Sequence, residues 1–220
     1  MKKLLAAAVM SMGLASLAQA AVMPKGDAAA GETKAAACAA CHGAGGVSMV
    51  PMYPSLAGQG ARYLYKQLQD FKSGHRNNPI MMGMSMGLAD QDMADLAAYY
   101  TAQKAVVNKA NPELVKLGEK IYRGGNNKTG LAACSGRHNP AGKGNALAGY
   151  PRLGGQHADY IKAQLTAFRA AGRNDNVADP AAKRGNDAAK AGEQGPMQMI
   201  AARMSDAEIE AVSSYISGLY

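Results

Sequence analysis

Apolar positions recur along this chain every three or four residues, the spacing that places them on one face of a helix. Leu64, Leu68 and Phe71 share such a face, as do Ile161, Leu165 and Phe168, and Met93, Leu96 and Tyr100. Near the C-terminus Ile209, Val212, Ile216 and Leu219 form a stripe. Ser205 and Glu208 precede it in the S-x-x-E spacing of a capping box, which marks a helix start. No segment alternates apolar and polar residues for long enough to make a strand. Between Lys104 and Pro112 the periodicity breaks, in "KAVVNKANP", and a break of this kind marks a linker. The pattern predicts an all-α protein of short helices joined by Gly-rich loops, divided near residue 106.

The two sides of that break repeat one another. Gly31-Glu32 recurs as Gly118-Glu119, and Cys38 and His42 as Cys134 and His138. "YPSLAGQGARYLYKQLQDF" (Tyr53 to Phe71) recurs as "YPRLGGQHADYIKAQLTAF" (Tyr150 to Phe168), 97 positions on. "MMGMSMGLADQDMADLAAYY" (Met81 to Tyr100) is matched by "MQMIAARMSDAEIEAVSSYI" (Met197 to Ile216), 116 positions on. Blocks repeated in the same order indicate an internal duplication. The jump in offset predicts an insertion in the polar stretch 172–195. The expected domains are residues 21–106 and 107–220.

Residues 1–20 stand apart from both. Lys2 and Lys3 form a basic start, Leu4 to Leu17 an apolar run, and Ala18-Gln19-Ala20 an A-x-A cleavage site. This is the pattern of a secretory signal peptide cleaved after Ala20, and it predicts export to a bacterial periplasm. Removing two lysines lowers the formal charge from +8 to +6. The basic residues are scattered, so no nucleic-acid partner is expected. A mild positive charge fits docking to acidic protein faces, or peripheral association with anionic membrane surfaces.

Three cysteines are present, an odd number that argues against a complete disulfide framework in an exported chain. Two of them stand in "CAACH", Cys38 to His42. In C-x-x-C-H both thiols can add to the vinyl groups of haem while the adjacent His ligates the iron. The rivals are a thiol–disulfide C-x-x-C, which usually accompanies a βαβ pattern, and zinc, which takes four ligands. The other axial ligand comes from His75 or from the Met-rich run "IMMGMSMG", a run that also resembles a soft Cu(I) site. The repeat discriminates between these candidates. It pairs Met81 with Met197 and gives His75 no His counterpart. Pro54 and Pro151 follow His42 and His138 at nearly equal distances, where a backbone carbonyl could receive the imidazole N–H; each also reads as an ordinary loop proline. "HGAGG", His42 to Gly46, could let backbone approach a porphyrin closely or make a simple turn.

With "AAGETKAAACAACHG", the two "YP" blocks, "LADQDMADLAAYY" and the ending "SSYISGLY", the chain resembles the dihaem cytochrome c4 family over nearly its whole length after the signal peptide. The resemblance implies two cytochrome c domains, each with a His/Met-ligated haem c. It also implies periplasmic electron transfer towards terminal oxidases. Residue by residue, it assigns Cys38, Cys41, His42 and Met81 to the first haem, and Cys134, His138 and Met197 to the second. Pro54 and Pro151 take the role of orienting the proximal imidazoles. Arg137 stands where the family has its fourth attachment cysteine. The expected function is therefore an electron carrier, not an enzyme, taking electrons from a quinol-oxidising complex or another donor. The rivals are a carrier with one haem and a haem-free second domain, and a peroxidase-like enzyme with an open iron in that domain.

Overall fold

The computed structural model describes residues 23–189 and 192–220. The expected signal peptide lies outside the described residues. The first half contains α1 (Ala28–Ala35), α2 (Ala39–His42), α3 (Ala61–Lys72), α4 (Pro79–Met86) and α5 (Asp90–Ala102). The second half contains α6 (Pro112–Gly124), α7 (Ser135–His138), α8 (Ala158–Arg173), α9 (Pro196–Ala201) and α10 (Asp206–Ser217). Among the described residues the only β pairings are two isolated bridges, Asn126 with Leu131 and Asn145 with Tyr150.

Each half is built on the crossing of its first and last helix. Gly31 on α1 and Gly118 on α6 are the contact points. A Cβ at Gly31 would lie 2.1 Å from the Asp95 carbonyl oxygen, and one at Gly118 would lie 2.3 Å from that of Ala211. The repeated glycine is thus required by backbone approach. The periodic stripes point inward as their spacing dictates. Leu64 joins Met93, Leu96 and Tyr100 in one core, with Leu68 packed against it. Ile161 and Leu165 join Ile209, Val212 and Ile216 in the other, with Leu219 packed against it beyond the end of α10. The capping box of α10 is present: Ser205 Oγ accepts the Glu208 N–H at 3.3 Å, and Glu208 Oε2 accepts the Ser205 N–H at 2.8 Å.

The linker between α5 and α6 is fixed on both halves. Gly58 and Gly155, equivalent in the repeat and both at positive φ, let it pass: added Cβ atoms would meet Ala105 at 2.7 Å and the Val106 carbonyl oxygen at 1.9 Å. Asn108 Nδ2 donates to the Gly155 carbonyl at 2.7 Å, and Ser214 Oγ accepts the Asn111 N–H at 2.8 Å.

The halves meet across a pseudo-two-fold interface, several of whose hydrogen bonds come in matched pairs. Gln156 clasps the backbone of Ser55, accepting its N–H at 2.9 Å and donating to its carbonyl at 2.8 Å. Gln59, the repeat equivalent of Gln156, clasps Arg152, the equivalent of Ser55, with two bonds of 2.8 Å. Beside these clasps, Arg76 stacks over Phe71 and donates to Gln67, Tyr160 and Gln164. Arg184 stacks over Phe168 and donates to Gln164, Tyr63 and Gln67. The backbone N–H groups also match, Arg76 donating to the Asp70 carbonyl and Arg184 to that of Ala167, both at 3.0 Å. Arg184 is therefore the counterpart of Arg76, although it lies inside the stretch expected to be an insertion. The extra length falls on both sides of it, and Gly172 and Arg173, at the start of that stretch, belong to α8.

Candidate functional site

Each half holds one buried imidazole in the same surroundings. Cys38 caps α2, the single turn that ends at His42, and Cys134 caps α7, which ends at His138. This local winding brings the motif residues onto one side of a turn. His42 Nδ1 lies 2.8 Å from the Pro54 carbonyl oxygen, and His138 Nδ1 lies 3.1 Å from that of Pro151. A carbonyl only accepts, so Nδ1 carries the proton in both rings and Nε2 keeps its lone pair. Burial pushes both imidazoles below their ordinary pKa, against the opposing effect of these carbonyls; Arg137 adds to the lowering at His138. The rings are thus held neutral, with the nitrogen opposite the carbonyl available to a metal.

His138 shows the consequence most plainly. It is 5% exposed, and its Nε2 has no hydrogen-bond partner. A buried unsatisfied nitrogen is costly unless something else binds it. It faces a cleft lined by Ala133, Cys134, Arg137, Met197 and Ile200. Burial raises the Cys134 thiol to about 11 and also raises that of Cys38. None of the three cysteines is in a disulfide.

The methionines paired by the repeat occupy matching places, each in the first turn of a proline-started helix. The Met81 N–H is accepted by Asn78 Oδ1 at 2.9 Å and the Met197 N–H by Asp187 Oδ2 at 2.5 Å. Met81 is half-buried, whereas Met82, Met84 and Met86 are 37%, 45% and 58% exposed. His75 is exposed, with its Nδ1 3.2 Å from Ser73 Oγ. The structure therefore brings Cys134, His138 and Met197 into one cleft and leaves His75 at the surface. Arg137 lines the same cleft, half-buried, and its side chain has no hydrogen-bond or ion-pair partner among the described residues.

The glycines of "HGAGG" answer to protein atoms. A Cβ at Gly43 would strike the Val47 carbonyl at 1.9 Å, and one at Gly46 would meet the Tyr100 ring at 2.7 Å. In the second half Asn139, at φ 72°, takes the position of Gly43, and its carbonyl accepts the Tyr122 hydroxyl at 2.6 Å. The sequence reading missed three contributors. Asn78 and Asp187 hold the two methionine backbones, and Arg184 looked like part of a solvated polar stretch. Only the Asn-Pro pair before Met81, a helix-start signal, was open to discovery by pattern.

The comparisons with known proteins agree with this twofold arrangement. The family model described as Cytochrome c matches residues 28–101 and again 115–219. Cytochrome c4 of Pseudomonas aeruginosa is 48% identical, with both chains covered in full. A protein of Stutzerimonas stutzeri named thiosulfate dehydrogenase electron acceptor is 37% identical, over 84% of this chain and 80% of that one. The crystal structure of reduced recombinant cytochrome c4 from Pseudomonas stutzeri superposes with a TM-score of 0.76 at 46% identity, over 89% of this chain and all of that one. The chain belongs to the cytochrome c4 family, and is a two-domain haem c protein of electron transfer.

Proposed function

We propose that this protein is a periplasmic electron carrier with haem c in both domains. Cys38 and Cys41 hold the first haem, with His42 and Met81 on its iron. Cys134 holds the second, with His138 and Met197 as ligands. When bound, haem supplies the Fe(III)/Fe(II) couple. The chain's part is to orient each imidazole through the Pro54 or Pro151 carbonyl, to exclude water and to offer a thioether, which favours Fe(II). The carrying observation is the twinned geometry of His42 and His138, each buried with Nδ1 on a proline carbonyl. With His and Met both as ligands, each iron would have no place for substrate, which fits a carrier rather than an enzyme. The basic start, apolar run and A-x-A cleavage site of residues 1–20 support export. The relative named as an electron acceptor of thiosulfate dehydrogenase supports a redox protein as donor; a quinol-oxidising complex would serve as well, with a terminal oxidase or a comparable protein as acceptor.

Spectroscopic redox titration tests the ligand assignment. Met81→Ala is expected to lower the potential of one haem and abolish its Fe–S charge-transfer band, while His75→Ala leaves both unchanged. The opposite outcome would reverse the choice of ligand.

A further inference from the structure

The second domain repeats the turn and the buried imidazole of the first, with Arg137 in the place of Cys41. α7 repeats the turn of α2, with Cys134 at its N-cap and His138 at its end. The Pro151 carbonyl fixes Nδ1 at 3.1 Å, and Nε2 is buried and unpartnered beside Cys134, Met197 and Ile200. An orphaned imidazole nitrogen in a mainly apolar cleft fits an apolar group with a metal centre. A half-buried guanidinium with no bonding partner among the described residues shares that cleft, and Arg137 brings no thiol.

We propose that the second domain binds its haem covalently through Cys134 alone, so that the protein carries one haem with two thioethers and one with a single thioether and an intact vinyl group. The inference rests on the haem-carrier reading above. In the bond-forming step the Cys134 S–H adds across one vinyl double bond of protohaem. Sulfur bonds to the carbon next to the ring, hydrogen goes to the terminal carbon, and nothing is oxidised or reduced. The side chain at 137 has no S–H to add, so the other vinyl keeps its double bond. That double bond remains conjugated with the porphyrin, which is a spectroscopic difference between the two domains. His138 and Met197 hold the iron as their counterparts do, so a single thioether needs only to tether.

The test uses the full-length mature holoprotein made in a host with a c-type haem attachment system. Denaturing intact-mass measurement is expected to show two haems per chain, and acid–acetone extraction to remove neither. The alkaline pyridine spectrum is expected to contain two components, the second with its α band at longer wavelength. Cys134→Ser should lose one haem from the denatured mass and the long-wavelength component with it. Arg137→Cys should keep the mass gain at two haems and merge the spectrum into the two-thioether form. Arg137→Gln should leave both components in place. A parent with one covalent haem would overturn the proposal, whether the second is extractable or absent. So would two covalent haems with a single two-thioether band. A one-haem parent would also remove haem c from the second domain, while the first haem would still support electron transfer by the first domain. A chain with no haem in either domain would sink that reading itself.

Discussion

Replacing Arg184 with Ala should separate what the two domains do alone from what they do together. Arg184 is 7% exposed, and its guanidinium makes four hydrogen bonds, to Asn186, Gln164, Tyr63 and Gln67, at 2.8–3.1 Å. It also lies 4.5 Å from the Phe168 ring centroid. Hydrogen bonds to a charged group contribute roughly 1.5–3 kcal/mol each, but the simple sum overstates the loss. Gln67 and Gln164 keep Arg76 as a donor, and deletion also removes the cost of burying Arg184. Among these acceptors, Tyr63 and the Asn186 side-chain oxygen lose their charged partner outright. A net loss of about 3 kcal/mol is expected, within the range for disrupting buried ionic groups. For a chain of this size that lowers the melting temperature by roughly 6–12 °C. Because two of the four bonds cross the interface, scanning calorimetry of the holoprotein should also resolve two transitions, against the single one expected of the parent. Arg184→Lys should behave nearly as badly, since an ammonium cannot present a planar fork. Lys162→Ala is the control. Its ion pair with Glu210 is about half exposed on both sides, so the loss should stay below about 1 kcal/mol. An Arg184→Ala protein that melts within 2 °C of the parent in one transition would refute the reasoning.

Gly118→Ala should destabilise the second domain by about 1–3 kcal/mol, because its Cβ would lie 2.3 Å from a backbone oxygen and 2.5 Å from Tyr215 Cβ. Gly124→Ala, on the same helix with open space around it, should be neutral or slightly stabilising in the same denaturant melt. Asp95 gives a pH signature. Lys34, with the Asp27 N–H and Gln91, holds its carboxyl down to about 2, below the unfolded value of about 3.9. Its contribution is present above about pH 4 and is lost as pH falls towards 2. The melting-temperature gap between the parent and Asp95→Asn should therefore be widest near neutral pH and close on acidification; a gap independent of pH would reject the assignment.

Local patterns in the sequence reveal the scaffold, whereas the interface depends on distant partners. The stripes of α3, α8 and α10 are visible because a helix repeats every 3.6 residues. The two imidazoles are visible because haem attachment requires short, fixed spacing. Gly31 and Gly118 stand out as a repeated pair, though their cause, the backbone of a helix far along the chain, does not. Arg184 is invisible to periodicity. Its partners lie 20 positions away on Gln164 and more than a hundred away on Tyr63 and Gln67. The extra residues on either side of it also disguise its register with Arg76. Asn139 hides for a different reason: it replaces a glycine while keeping the left-handed backbone that the glycine supplied.

The matched clasps of Gln59 and Gln156 give the molecule the logic of a homodimer written as one chain. In a two-fold interface the complement of a surface is its own copy. Ser55, Gln59, Tyr63, Gln67 and Arg76 thus form on the first domain a patch that a second first domain could satisfy in nearly the same way. The covalent linker makes the partner always present and always the right one. Each half is then free to differ wherever the other does not touch it, and a difference such as Arg137, where the first half has Cys41, can stand while the face they share stays intact.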